Sequence, residues 1–246
     1  MIKRLKRSSS IDLMTKTLSL DGVFIIENYV SGTQLNRLVE ETMNKIKNEG
    51  TDYPFGISYR GPNIRKFDEK SEIKKIFNVD WMKQLYYNYT GESEENFGED
   101  VFSTYDYKKT KNIARNGYLH YDRKSALKFF IYLSNVNSDN GAFVVAPKSN
   151  KYGKKIRLKE WGSNKAHRIY DNNLILKKLL FQRKYNKIKN RVEHDEINVD
   201  FDYKTFPVES NAGSMIVFDS DTLHKGGIIK NNTLERLVLR LHCYKI

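Results

Sequence analysis

The segment 235–242 alternates without a break. Leu237, Leu239 and Leu241 fall on one side of an extended strand, and Arg236, Val238, Arg240 and His242 fall on the other. The leucine face demands an apolar cover. The opposite face places two arginines where a small sheet protein has its interior, and a buried charge must be paired. A guanidinium offers a planar fork suited to a carboxylate. Two readings stay open for Arg236 and Arg240: an ion pair with Asp219, Asp221 or Glu235, or a contact to an anionic ligand. The same test applies to Lys128 and Tyr132, which share one face of a further β-prone run, 127–133.

The rest of the second half repeats this character. Residues 101–107 alternate as a strand, 142–145 form another, and 203–208 and 214–218 follow. Asn137, Ser138, Asp139, Asn140 and Gly141 make a turn between strands. The front half is more helical. After a short apolar strand at 23–26, Ser31 or Thr33 caps a helix carrying Leu35, Leu38, Met43 and Ile46 and ending near Gly50. Two shorter helices are predicted near 70–77 and 79–89, with Trp81, Leu85 and Tyr86 as packing residues. Residues 51–68 read as polar and turn-rich. The pattern predicts a mainly β fold with flanking helices (α+β), a sandwich or barrel.

A chain of 246 residues fits one domain, here 17–246, preceded by a frayed basic arm at 1–16. The formal net charge of +13 points to an anionic partner without choosing one. Fifteen Lys and Arg against four Asp and Glu fall between 148 and 195, so an insertion at about 148–196, with a helix expected over 172–191, holds much of that excess. It reads either as a rim attracting an anionic or carrier-linked small molecule or as a solvated helix face. The single cysteine, Cys243, excludes an intrachain disulfide and is expected buried in the last strand. No apolar stretch suits a signal peptide or membrane span, so a cytoplasmic protein is expected.

His120 and Asp122 are two residues apart, so in an extended segment they point to one face. A third ligand from a neighbouring strand, His224, completes two imidazoles and one carboxylate, the ligand set of non-heme Fe(II) oxygenases.

These residues stand in a longer pattern. Gly22-Val23-Phe24-Ile25-Ile26 opens it. His120-Tyr121-Asp122, Asp139-Asn140-Gly141, Ala146-Pro147-Lys148-Ser149-Asn150 and Gly213-Ser214-Met215-Ile216-Val217-Phe218-Asp219 follow, then Thr222-Leu223-His224 and Arg236. In order and spacing this resembles the phytanoyl-CoA dioxygenase-like family of Fe(II)/2-oxoglutarate oxygenases. The resemblance implies a double-stranded β-helix, a jelly-roll or cupin-like core. It implies that His120, Asp122 and His224 hold Fe(II) and that Arg236 binds the distal carboxylate of 2-oxoglutarate. Lys128, Tyr132 and Thr222 are further candidates for contacts to this cosubstrate. With O2, the implied activity is hydroxylation of a small molecule with release of succinate and CO2. Asp122 stands where related halogenases carry a small residue, which favours oxygenation. Lys148 and Asn150 depart from the family, which usually has Gly and His there. The alternatives are a nucleic-acid demethylase of the same superfamily, whose two arginines are usually six apart rather than the four separating Arg236 and Arg240, and a non-catalytic jelly-roll binding module.

Overall fold

A computed structural model of the chain describes residues 1–109, 119–161 and 203–245. The front half runs β1 (Lys3–Leu5), α1 (Ile11–Asp21), β2 (Val23–Ile26), α2 (Gly32–Glu49), β3 (Thr51–Tyr53), β4 (Gly56–Gly61), α3 (Glu72–Phe77) and α4 (Asp80–Thr90). The second half runs β5 (Asp100–Asp106), β6 (Ala126–Tyr132), β7 (Phe143–Val145), α5 (Asn150–Trp161), β8 (Phe206–Val208), β9 (Met215–Asp219), β10 (His224–Lys225) and β11 (Arg236–Tyr244). Among the described residues, no helix is long and apolar enough to cross a membrane.

The strands form two sheets. The larger has the order β1-β2-β9-β6-β11-β5-β4-β3, and the smaller β10-β7-β8. A bridge between His120 and His224 adds the 119–122 segment to the edge of the smaller sheet. Four strands of the larger sheet, β9-β6-β11-β5, thus face four segments of the smaller. That is the double-stranded β-helix.

The alternation of β11 decides which face does what. Leu237, Leu239, Leu241 and Cys243 join a core with Leu127, Phe129 and Ile131 of β6 and with Met14, Leu18, Leu38, Met82, Leu85 and Tyr86 from the helices. Each such aliphatic or aromatic side chain contributes about 1.5–3 kcal/mol when fully buried. Trp81 packs edge-on against Tyr29 and Phe129, and the Tyr86 hydroxyl donates to the Tyr244 carbonyl, so both serve packing. Val23, Ile25, Phe130, Tyr132, Phe143, Phe218 and Val238 fill the space between the sheets.

Two expectations change. The basic arm at 1–16 is ordered structure: β1 extends the large sheet beside β2 in parallel, and Ser10 caps α1 by accepting from the Leu13 amide. The apolar positions Ile11, Met14 and Leu18, interleaved with polar residues, bury one face of that helix. The turn-rich stretch 51–68 contains the β3–β4 hairpin, whose β4 pairs with β5. Its alternation is short and interrupted by Gly56, so propensity alone does not reveal it. Gly56 is required there, because an added Cβ would lie 1.9 Å from the Tyr105 carbonyl oxygen. Of the basic insertion, only α5 lies within the described residues; the helix expected over 172–191 lies outside them. On α5, Lys151, Lys154, Lys155 and Lys159 are exposed.

Candidate metal centre

His120 and Asp122 sit on a strand-like edge rather than in a full strand. The His120 and His224 backbones exchange both hydrogen bonds, at 2.9 and 2.8 Å, and the Asp122 amide donates to the Ser220 carbonyl at 3.1 Å. This pairing presents both side chains to the same face as His224. One ligand atom from each of the three residues lies within 4.8 Å of the others. Asp122 Oδ1 is 3.8 Å from His120 Nε2 and 3.6 Å from His224 Nε2. Neighbouring ligands at metal bond lengths of ~2.1 Å lie roughly 3 Å apart, so a small contraction brings these donors onto one ion. Two imidazoles and one carboxylate fit Fe(II) with its other positions open.

The surroundings orient each donor. The Thr222 carbonyl lies 2.7 Å from His224 Nδ1, which assigns the proton to Nδ1 and leaves Nε2 as the ligand atom. Lys128 forms an ion pair with Asp122 Oδ2, which leaves Oδ1 facing the two histidines. Burial pushes the Asp122 carboxyl up, but the Lys128 ammonium and then the His224 and His120 rings outweigh it and hold it well below the usual range. Phe143 and Phe218 close over the His224 ring, with centroids at 5.5 and 5.2 Å.

The three residues open into a pocket of about 560 Å³ between the sheets. Its inner wall is the polar face of β11 together with Lys128, Phe130 and Tyr132 of β6 and Phe102, Thr104 and Asp106 of β5; Tyr53, Pro54, Phe55 and residues 226–229 form other walls. The other candidates fall as follows. Arg236 faces the pocket, but its Nε and Nη2 donate to Asp106 Oδ2 at 2.9 and 2.6 Å and its Nη1 to the Gly141 carbonyl. Its counterion is therefore none of the three carboxylates considered from sequence. Asp219 is engaged by Tyr89 and Lys245, Asp221 by Arg157, and Glu235 by Tyr105. Tyr132 donates to the Val208 carbonyl and accepts from the Phe143 amide, and burial pushes its hydroxyl up to about 12. Thr222 is fully buried outside the pocket wall, its hydroxyl donating to the Gly22 carbonyl; its backbone, not its side chain, serves the centre. Arg240 donates to Thr104 Oγ1 at 2.9 Å.

Asp106 is a pocket residue that the sequence reasoning did not name, although the alternation of 101–107 carries it; His242 was placed on the inner face of its strand but given no role.

The departures at 148 and 150 have a local role. Lys148 holds a left-handed backbone, φ +71°, and its amide donates to the Asp21 carbonyl at 2.8 Å. Asn150 Nδ2 donates to the Leu18 and Ser19 carbonyls near the end of α1.

Solved structures share this architecture. The non-heme α-ketoglutarate-dependent epimerase SnoN from nogalamycin biosynthesis is 11% identical, with 94% of this chain and 81% of that chain covered and a TM-score of 0.55. The carbocyclase SnoK from the same biosynthesis is 11% identical over 97% and 85% of the two chains, with a TM-score of 0.56. AviO1 from Streptomyces viridochromogenes Tue57 is 14% identical over 95% of each chain, with a TM-score of 0.52. Another SnoN structure is a complex with Fe3+, α-ketoglutarate and nogalamycin RO. At these identities the likeness is one of fold. No curated protein sequence matches the chain. Residues 19–236 match phytanoyl-CoA dioxygenase (PhyH), a span running from the end of α1 to the first residue of β11, and the chain belongs to that family.

Proposed function

We propose that this iron- and 2-oxoglutarate-dependent enzyme hydroxylates a C–H bond of a small molecule, with succinate and CO2 as co-products. The observation that carries the reading is the placement of His120, Asp122 and His224 together in a pocket between the two sheets. When bound, Fe(II) with O2 and 2-oxoglutarate supplies the oxidising chemistry. The chain's own residues position it. Thr222 fixes the His224 tautomer, Lys128 holds the second oxygen of Asp122, and Phe143 and Phe218 pack against the His224 ring. Asp122 occupies the carboxylate position of the triad, which supports oxygenation. The epimerase and carbocyclase of similar fold act at other outcomes, so the substrate's seat in the pocket selects the product. The lysines of α5 described above are exposed, and an anionic or carrier-linked substrate remains part of this proposal through the overall charge.

The test is succinate formation by purified protein given Fe(II), 2-oxoglutarate, O2 and a panel of small metabolites. A hydroxylated product formed in step with succinate supports the reading. An epimerised, cyclised or desaturated product would replace hydroxylation, and an absence of metal-dependent 2-oxoglutarate binding would remove the enzyme reading.

A further inference from the structure

His242 stands on the pocket face of β11 and takes no part in the candidate metal centre. It lines the pocket and is half-buried there, and its Nε2 is buried without a hydrogen-bond partner. The polar atoms around the ring are engaged elsewhere. The Tyr244 hydroxyl donates to Asp100 at 3.1 Å, Asp100 also pairs with Arg60 at 2.8 Å, and the Lys128 ammonium pairs with Asp122. What remains against the imidazole is carbon. The Phe102 ring lies nearly parallel to it at 6.3 Å, the Phe130 ring at 6.1 Å, and the Tyr244 ring edge-on at 6.2 Å. A polar atom buried without a partner is destabilising, so one kept at a pocket wall calls for a partner that enters the pocket.

The chemistry of the ring narrows that partner. Burial, and then the Lys128 charge, hold His242 well below its ordinary pKa, so it is neutral. A neutral imidazole has one donor nitrogen and one acceptor nitrogen. A hydroxyl answers either, by donating to the bare nitrogen or accepting from the N–H, whereas a carbonyl answers the N–H alone. An ammonium would stand among the charges of Lys128, Arg240 and Arg60. The flanking aromatic rings suit an apolar body next to the hydroxyl.

The register puts this seat beside the triad. His242 pairs directly across from Lys128, and Lys128 grips Asp122. Side chains opposed in this way start about 5 Å apart. A molecule held by its hydroxyl at His242 therefore has its adjoining carbons next to the three donors.

We propose that His242 is a specificity-determining residue that seats a neutral hydroxyl group of the substrate, carried on an apolar body, beside His120, Asp122 and His224. This rests on the oxygenase reading above and deepens it: the carbon that is oxidised is a near neighbour of a hydroxyl the substrate already carries.

The probes are phenol and toluene, close in shape and differing in the hydroxyl. Wild type, His242→Phe and His242→Gln are each loaded with Zn(II) as an inert stand-in, with and without 2-oxoglutarate. Affinities are read by calorimetry, and the imidazole nitrogens of wild type by NMR, the His242 signals being those that His242→Phe lacks. Phenol, and not toluene, should move the His242 signals. The phenol-to-toluene affinity ratio should fall about fivefold in His242→Phe, the worth of one hydrogen bond, and recover in part in His242→Gln, whose amide can replace it. The ligand-free Tm of His242→Phe should equal or exceed that of wild type, because no hydrogen bond is lost. An unchanged ratio, with or without a loss of Tm, overturns the inference, as do His242 signals that ignore phenol. Phenol bound through His242 in a protein that takes up no 2-oxoglutarate would remove the oxygenase reading and leave the seat standing. Uptake of 2-oxoglutarate with His242 indifferent to phenol would do the reverse.

Discussion

Asp122 divides its two oxygens between two tasks. Oδ1 faces the histidines and Oδ2 holds Lys128, whose side chain is 10% exposed. Asp122→Ala therefore removes a proposed ligand and takes the ion-pair partner from the Lys128 ammonium. It should lower Mn(II) or Fe(II) affinity by at least about 100-fold and abolish turnover, as read by calorimetry and succinate formation; Lys128→Met should cost about 10–100-fold in metal affinity through Asp122 alone. Lys148 makes a separate prediction. A non-glycine residue at φ +71° costs about 1–2 kcal/mol, part of which a glycine returns as unfolded-state flexibility. Lys148→Gly should stabilise the fold by about 0.5–1 kcal/mol in urea denaturation, with the Asp21 hydrogen bond retained.

The element that secures the centre is α5. Arg157 donates to Asp221 through Nε at 2.5 Å and Nη2 at 3.2 Å, and Ser125 donates to the same carboxylate at 2.9 Å. Asp221 stands three residues before His224. Glu160, on the same helix, accepts from Tyr121, which lies between His120 and Asp122. Gly153 lets the helix approach this closely, since a Cβ there would lie 1.9 Å from the Asp221 carbonyl oxygen. One helix thus braces both segments that carry the proposed ligands. Arg157→Met leaves the buried Asp221 without its main counterion and should cost about 3–5 kcal/mol in chemical denaturation, with weaker metal binding as a second readout. The double variant Arg157→Met/Asp221→Leu should recover much of that stability, because the cost lies in the stranded charge.

At the scale of the whole molecule, the proposed metal and cosubstrate site lies between two sheets that exist only in the folded chain. The binding free energy of metal and cosubstrate is therefore added to folding stability. Mn(II) and 2-oxoglutarate at about 100 times Kd should each contribute about 2.7 kcal/mol, a rise in Tm of roughly 5–10 °C for a chain of this size. A chelator should reverse both shifts together if the cosubstrate binds through the metal. A cosubstrate-dependent shift that survives chelation would place that ligand elsewhere.

Local patterns were legible from the sequence. The period-two alternation of β11 and β6 assigned Leu237, Leu239 and Leu241 to one face and Arg236, Arg240, Lys128 and Tyr132 to the other, because side-chain direction in a strand depends only on position along it. The spacing of His120 and Asp122 was readable for the same reason. Charge partnership was not. Arg236 finds Asp106 from 130 residues away, through the register of β5 against β11. Thr222 acts through its carbonyl, which residue type does not reveal. The β3–β4 hairpin and the ordered 3–21 segment depend on partners that a short, weak pattern does not announce. The sequence by itself determined the strand faces and proposed a donor set; only the tertiary structure decided which residues stand together and which buried charges are paired, because burial and pairing are properties of the assembled sheets.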